Sequence, residues 1–301
     1  MRSIRFNDRD YTLDGDETVL DCLLRHGLDI PHSCKAGACQ TCILHAAEGR
    51  LPLESVDRLK ETLVAQGLFL ACQCRPKSNL TVRLPSEAAR TVIGTICEKT
   101  FLRRDIVQLV LAPNQSVSCE PGQTWTITNP RRTCRTYSIA NNPLADRVME
   151  FHIRLREGGE MSEWLRSDAE LGARLALNGP SGSCFYHTHH NDHKLIFAGV
   201  GTGLAPLWGI AGEALRQGHR GTIKIFHGAQ RERDLYFVQQ LQALQRRHES
   251  LTYVPCVRDD GDDRSLARLG DVRDVVMSEL NDDPNVQLYM CGAPKFVKDL
   301  R

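Results

Sequence analysis

The sequence predicts a multidomain protein that combines α+β and α/β folds. A short N-terminal region carries a cysteine-rich loop among strand-like and helix-like segments. Residues 88–185 form short apolar segments separated by turn residues, which favour an antiparallel barrel. After residue 192, apolar strands alternate with helices, and this alternation favours a parallel sheet with right-handed crossovers. A chain of 301 residues has room for three domains.

We place the three domains at residues 1–86, 88–187 and 192–301. The first begins with a hairpin pattern and a helix that starts at Thr18 and stops at Gly27. The cysteine loop follows, and then the strand CILHAA, the helix SVDRLKETLVAQG and the strand NLTVRL. The second domain has the strands TVIGTICEKT, DIVQLVLAP, QTWTIT, RTYSIAN and VMEFHIRLR, with one helix near residues 161–166. The third has the strands KLIFAG, TIKIFHG, LTYVPCV and VQLYMC, separated by helices.

Composition excludes several classes of function. A net charge of +1, with acidic and basic residues interleaved, argues against a nucleic-acid partner. The N-terminus has no apolar stretch long enough for a signal peptide or a membrane span, so we expect a cytoplasmic protein without a membrane partner. Twelve cysteines in such a chain indicate a metal or cluster site rather than a disulfide scaffold. The scattered cysteines are expected to be small buried residues: Cys22, Cys97, Cys119, Cys134, Cys184 and Cys256.

Three clustered cysteines carry the strongest signal. Cys34, Cys39 and Cys42 have the spacing C-x4-C-x2-C, which is the plant-type arrangement for a 2Fe–2S cluster. Zinc sites usually contain paired C-x2-C knuckles, so this spacing argues against zinc. The fourth thiolate must come from Cys72 or Cys74. Residues 1–85 resemble the plant-type ferredoxin family, and the resemblance implies a β-grasp fold with Cys72 as the last ligand.

A second motif indicates a flavin site. In R-x-Y-S, the Arg135 guanidinium suits a flavin phosphate, the Tyr137 ring suits isoalloxazine, and the Ser138 hydroxyl suits flavin N5. The segment that contains Gly159, Met161 and Ser162 then enters a helix whose N-terminus could bind a pyrophosphate. Ser162 could alternatively be only the N-cap of that helix.

Residues 90–301 resemble the ferredoxin–NADP reductase superfamily. That resemblance implies a Greek-key flavin-binding barrel, followed by a Rossmann-like nucleotide domain. It also implies that FAD is held by the R-x-Y-S residues together with Met161 and Ser162; FMN is the less favoured flavin.

A nicotinamide site is predicted in the third domain. The loop AGVGTGLAP joins a strand to a helix, so its amides suit a pyrophosphate. Leu204 stands where the strict G-x-G-x-x-G fingerprint requires glycine, and the loop instead resembles the superfamily's G-x-G-x-x-x-P. The candidate residues of this loop are Gly199, Gly201, Thr202, Gly203 and Pro206.

The turn LYMCGAP resembles the superfamily's C-G-x-P turn. The resemblance implies that Cys291, followed by Gly292, lies against nicotinamide C4 without needing a thiolate. Asp234 occupies the position that is acidic in NADH-using relatives and would bind a ribose hydroxyl. The nearby cations of Arg231, Arg233 and Arg258 could accept a 2′-phosphate, so NADPH remains an alternative coenzyme.

Two polar segments are interpreted as solvated. The histidines lie in an interdomain linker without a carboxylate–histidine framework: His187, His189, His190 and His193. The run RDDGDDR lacks the ligand order of an EF-hand and reads as an exposed turn.

Together the resemblances cover nearly the whole chain, in the order ferredoxin, FAD, NAD. That order is typical of the reductase components of multicomponent oxygenases. It implies a monomer that carries electrons from NADH to FAD, to the 2Fe–2S cluster and then to an oxygenase component or an intermediary ferredoxin, with Ser138 and Cys291 at the reacting atoms. The alternatives are a general ferredoxin–NAD(P) reductase or diaphorase, and a non-enzymatic redox sensor. Relatives continue beyond the helix that starts after Pro294, which leaves a C-terminal truncation open.

Overall fold

The computed structural model describes residues 2–38, 40–59, 61–64, 67–84, 92–188, 191–259, 267–280 and 285–300. The chain divides into two compact units. The first contains Met1–Ile93, Thr124–Thr136 and Leu175–Gly182, and the second contains Gly94–Gln123, Tyr137–Arg174 and Ser183–Arg301. The three predicted domain boundaries stay predictions.

The first unit contains a mixed five-stranded sheet in the order β2-β1-β5-β3-β4. Its strands are β1 (Ser3–Phe6), β2 (Arg9–Thr12), β3 (Ile43–Glu48), β4 (Leu68–Leu70) and β5 (Leu80–Arg83). Strand β1 pairs antiparallel with β2 and parallel with β5. Asn7 and Asp8 join β1 to β2 with positive φ angles, which these residue types tolerate in a tight hairpin turn.

Helix α1 (Val19–Arg25) covers this sheet. It begins where the sequence predicts, because the Thr18 side chain accepts a hydrogen bond from the Asp21 N–H and caps the first turn. The long helix expected over SVDRLKETLVAQG is shorter: the described residues form a 3-10 turn at Leu53–Ser55 and helix α2 at Glu61–Val64.

Six further antiparallel strands are divided between the two units. They are β6 (Val92–Arg103), β7 (Ile106–Pro113), β8 (Thr124–Thr128), β9 (Cys134–Ser138), β10 (Met149–Arg154) and β11 (Arg174–Ser181). In the first unit they lie in the order β11-β8-β9, and in the second in the order β10-β7-β6. The connections of the second unit include helices α3 (Pro143–Asp146) and α4 (Glu160–Ser167).

A parallel sheet in the second unit has the order β15-β14-β13-β12-β16, as the strand–helix alternation predicts. Its strands are β12 (Lys194–Val200), β13 (Ile223–Ala229), β14 (Leu251–Val257), β15 (Arg268–Leu269) and β16 (Val286–Cys291). Its helices are α5 (Leu204–Arg216), α6 (Val238–Arg247), α7 (Val272–Met277) and α8 (Pro294–Asp299).

Helices cover both faces of this sheet. On β12, Leu195 and Phe197 join the core that includes residues of α5 and α6, whereas Ile196 and Ala198 join the core that includes residues of α7. Because the strands are parallel, their carboxyl ends meet at one edge, where ligands of such sheets bind. No helix in the described ranges combines the length and apolar character that a membrane crossing requires.

Candidate functional site

The cysteine loop lies between α1 and β3 in the first unit. Its backbone takes positive φ angles at Lys35, Gly37 and Gln40, which turn the chain tightly. The N–H of Ala36 donates to the Cys34 sulfur at 3.3 Å. Cys39 lies outside the described residues. Sulfur and backbone donors therefore meet in one short turn.

Cys72 lies beside this loop, directly after β4. The Ala71 N–H donates to the Cys42 carbonyl at 3.1 Å, which fixes the two segments together. A hydrogen bond with the Cys42 thiol lowers the pKa of Cys72 to about 6, and the Gly37 backbone N–H and the Gln73 amide act in the same direction. By contrast, Cys74 is fully buried, and burial raises the pKa of its thiol to about 12.

The described part of the chain contains no group of three or more His, Cys, Asp or Glu side chains arranged for a metal ion. One of the four predicted ligands, Cys39, falls outside that part. The donor chemistry nevertheless fits the predicted cluster, because thiols and amide N–H groups converge there. The arrangement favours Cys72 over Cys74 as the fourth ligand.

The cysteine loop also contacts the strands β8 and β9. The hydroxyl oxygens of Thr41, Thr126 and Thr136 form a triangle, with separations of 3.3 Å, 3.3 Å and 2.9 Å. The Cys134 thiol donates to the His32 carbonyl at 3.5 Å. Thr136 alternates with Arg135 and Tyr137 along β9, so the opposite face of the R-x-Y-S strand packs on the cysteine loop. No pattern in the sequence indicates this contact.

The predicted flavin residues occupy β9 and the start of α4. Arg135 is exposed, and its guanidinium donates to the Cys134 carbonyl at 2.7 Å. Tyr137 and Ser138 are half-buried at the end of β9. In the second unit, Met161 and Ser162 are buried in the first turns of α4.

Ser162 is not the N-cap of α4, because Gly159 occupies that position. The Ser162 hydroxyl instead accepts the N–H of Arg156 at 2.9 Å and closes the preceding turn. Among the described contacts, no side chain caps α4. Its first N–H groups therefore suit a phosphate, as the sequence predicts.

Glycines bring the loop after β12 into close contact with its neighbours. A Cβ at Gly199 would lie 2.8 Å from Leu207, and a Cβ at Gly203 would lie 2.2 Å from the Cys291 carbonyl oxygen. Gly201 has a φ of +55°, and a Cβ there would lie 3.2 Å from the Arg154 guanidinium. Thr202 lies between them in a 3-10 turn that leads into α5, and Pro206 is buried in the first turn of that helix.

Cys291 and Gly292 end β16 against this loop. Burial raises the pKa of the Cys291 thiol to about 12, so the thiol is neutral at physiological pH. Gly292 has a φ of +148°, and a Cβ there would lie 2.4 Å from Val200. The two predicted loops therefore meet, and neither tolerates a side chain at these glycines.

A cleft of about 730 Å³ opens along the carboxyl edge of the parallel sheet. It is lined by Gly201 of the loop after β12, by residues 228–230 at the carboxyl end of β13, and by residues after β14 and β16. Its charged residues are balanced: Arg103, Arg154, Arg258, Arg273 and Lys295 are matched by Asp105, Asp234, Asp271, Asp274 and Asp299. Arg154, which sequence reasoning missed, lies over the glycine loop where a pyrophosphate would bind.

Asp234 lines the cleft, but its carboxylate is already engaged. One oxygen lies 3.2 Å from the Arg103 guanidinium, and the other accepts the Arg231 N–H at 3.2 Å. Arg103 also donates to the Asp234 carbonyl. Asp234 therefore fixes the turn after β13, and its predicted contact with a ribose stays a prediction.

Three family models match consecutive parts of the chain. Residues 4–77 match a 2Fe-2S iron-sulfur cluster binding domain, residues 94–186 an oxidoreductase FAD-binding domain, and residues 197–301 an oxidoreductase NAD-binding domain. The reductase subunit of an Amycolatopsis aromatic O-demethylase is 30% identical over 296 residues, which cover 94% of this chain and 87% of the relative. This chain belongs to the iron–sulfur flavoprotein reductases. The toluate 1,2-dioxygenase electron transfer component of Pseudomonas putida is also 30% identical to this chain, and the match covers 94% of this chain and 86% of the relative.

Solved structures agree with the predicted fold class. The Amycolatopsis cytochrome P450 reductase superposes with a TM-score of 0.70 at 28% identity, covering 99% of this chain and 93% of that one. The ferredoxin reductase in carbazole 1,9a-dioxygenase superposes with a TM-score of 0.68 at 25% identity, covering 99% of this chain and 92% of that one. The reductase is thus an NADH-dependent oxidoreductase with 2Fe–2S and FAD cofactors, as predicted.

Proposed function

We propose that the reductase delivers electrons from NADH to an oxygenase component or to an intermediary ferredoxin that serves one. The observation that carries the proposal is similarity along nearly the whole chain to electron-transfer components of oxygenase systems. The named relatives include the reductase component of the naphthalene 1,2-dioxygenase system of Pseudomonas putida, at 29% identity over 99% of this chain. FAD supplies the conversion of a two-electron hydride donor into single-electron transfers to the cluster.

The chain's own residues bind and orient these groups. We assign the cluster ligands to Cys34, Cys39, Cys42 and Cys72. FAD binding is assigned to Arg135, Tyr137, Ser138, Gly159, Met161 and Ser162. Coenzyme binding is assigned to Gly199, Gly201, Thr202, Gly203, Pro206, Asp234, Cys291 and Gly292.

Two of these residues would contact the reacting atoms. The Ser138 hydroxyl would donate a hydrogen bond to flavin N5, and the Cys291 thiol would pack against nicotinamide C4. Because burial keeps the Cys291 thiol protonated, it presents a neutral surface to the coenzyme. Neither residue transfers a proton in this assignment, so catalysis depends on orientation.

The test compares electron acceptors. The holoprotein is mixed with NADH and, in parallel, with a Rieske or di-iron oxygenase component, a soluble plant-type ferredoxin and a dye. Faster reduction of the oxygenase component or of its own ferredoxin is expected. Equal reduction of all acceptors would identify a general diaphorase instead, and absence of NADH-dependent dye reduction would identify a redox sensor.

We also infer a cytoplasmic monomer whose partners are proteins rather than nucleic acid or membrane. The near-neutral net charge and the clustering of cysteines at a predicted cluster site support this inference. Sedimentation of the purified holoprotein tests the monomer; a dimer at micromolar concentration would contradict it.

A further inference from the structure

Arg258 follows β14 on the wall of the cleft and is held by one carboxylate. Its guanidinium Nε donates to Asp271 Oδ2 at 2.8 Å, and a second guanidinium nitrogen donates to the same oxygen. The other oxygen of Asp271 accepts the Arg273 N–H at 2.9 Å and caps α7. Burial opposes ionisation of Asp271, but these hydrogen bonds outweigh it and keep the pKa of Asp271 below its ordinary value. Arg258 is therefore paired with an ionised carboxylate.

A second pair repeats this arrangement after β13. The Arg231 guanidinium donates to Asp259 at 2.9 Å. Backbone bonds hold the two pairs together, because the N–H groups of Arg258 and Asp259 donate to the carbonyls of Ala229 and Gln230. Arg231 after β13 and Arg258 after β14 are thus both paired with carboxylates.

This end of the cleft is where the adenosine of a coenzyme would lie. The glycine loop after β12 suits the pyrophosphate, and in sheets of this kind the adenosine ribose falls beyond the next strand. NADPH differs from NADH by a ribose 2′-phosphate, which carries about −1.5 to −2 charges near neutral pH. Such a group is bound best by cations that no carboxylate already pairs.

We propose that Asp271 makes the reductase select NADH over NADPH by occupying Arg258, which would otherwise bind the 2′-phosphate. The proposal rests on the proposed function, because it concerns the coenzyme of that reaction. It assigns the choice to an acid that caps a helix rather than to Asp234. The sequence suggested Asp234, but its carboxylate is engaged by Arg103.

The test removes the negative charge of residue 271 but keeps a side chain that can cap α7. In Asp271→Asn the side chain still caps α7, since asparagine is a good N-cap, but the Arg258 guanidinium is released. The holoprotein is titrated calorimetrically with ADP and with 2′,5′-ADP, which need no electron acceptor. Because a charged hydrogen bond to phosphate is strong, 2′,5′-ADP is expected to bind about tenfold more tightly to the variant, whereas ADP binding changes by less than about twofold.

Asp274 provides the matched control. It lines the same cleft, is largely exposed, and lies 3.9 Å from Arg273. Asp274→Asn removes the same charge without releasing Arg258, so little gain for 2′,5′-ADP is expected. The double variant Asp271→Asn with Arg258→Gln should lose the gain. If Asp271→Asn fails to fold, Asp271→Ser is used instead, because serine is also a good N-cap.

Three outcomes would overturn the proposal. The wild-type protein could bind 2′,5′-ADP as tightly as ADP, Asp271→Asn could leave both affinities unchanged, or Asp274→Asn could give the same gain. Each can occur while the wild-type protein still reduces an oxygenase component with NADH. Conversely, the wild-type protein could fail to reduce every acceptor with NADH while Asp271→Asn still binds 2′,5′-ADP more tightly. That result would reject the proposed function and leave the role of Asp271 standing.

Discussion

Replacing Gly203 by alanine tests the contact between the two loops of the nicotinamide site. The new Cβ would lie 2.2 Å from the Cys291 carbonyl oxygen and 2.7 Å from the Gly292 Cα, whereas ordinary contact begins at 3.4 Å. Gly203 has a φ of −61°, which alanine adopts freely, so the cost is steric and not conformational. Backbone must therefore move by about 1 Å. Overpacking of this size costs about 1–3 kcal/mol of unfolding free energy.

The same movement would displace the groups that orient the nicotinamide. A misplacement of about 1 Å can cost about 100-fold in rate, so a loss of that order is expected in NADH-dependent dye reduction by Gly203→Ala. The assays are urea unfolding, dye reduction, and the visible spectrum, which should still show both prosthetic groups.

Gly212→Ala is the control on the same helix. A Cβ at Gly212 has nothing within 4 Å. Because alanine favours a helix over glycine, this variant should gain about 0.5–1 kcal/mol and keep full activity. Gly203→Ala could have the same urea midpoint of unfolding as the wild-type protein and reduce the dye at the same rate. That result would refute the close approach of the two loops.

Three further experiments test the fourth cluster ligand, the coenzyme cleft and a buried carboxylate of helix α5. Cys72→Ser should lose most of the iron and the cluster absorption, whereas Cys74→Ser should retain both; the reverse result in an iron assay would move the ligand to Cys74. Arg154→Gln should weaken ADP binding about tenfold, because a charged donor near Gly201 is lost; unchanged calorimetric affinity would exclude Arg154 from the site. The pKa of Glu213 is lowered to about 2 from 4.5, because hydrogen bonds from neighbouring side chains outweigh burial. Its stabilisation is complete above pH 4.5 and lost as the pH falls towards 2, so Glu213→Gln should cost about 3 kcal/mol at pH 7, and urea titrations should show a flatter dependence of stability between those pH values.

Strands and helices with a regular pattern of apolar residues could be predicted from the sequence. Individual side-chain contacts between distant residues could not, because no such pattern marks them. The run KLIFAG is apolar on both faces, and it forms the inner strand β12 between two layers of helices. The cysteine spacing indicated the cluster loop for a chemical reason, since four thiolates must surround two irons. Nothing in the pattern could predict that Arg103 would pair with Asp234, which is 131 residues away. Charged side chains recur throughout the surface, and their pairing depends on loop geometry.

The scattered cysteines show the same limit. The expectation of burial is met by Cys22 and Cys256, but Cys97 and Cys184 are exposed. Cysteine frequency predicts burial only on average, because each position is decided by the strand or loop that carries it.

The two thiols that we assign to the cluster and to the nicotinamide require opposite protonation states, and the fold supplies opposite surroundings. A cluster ligand must be a thiolate, and Cys72 lies among hydrogen-bond donors that lower its pKa to about 6. A thiol against a nicotinamide must remain neutral, since an anion would be a nucleophile beside the hydride donor. Cys291 meets that requirement because burial raises its pKa to about 12. In this assignment the same residue type serves electron transfer in one domain and coenzyme packing in another, because hydrogen-bond donors surround the Cys72 thiol whereas the Cys291 thiol is removed from water.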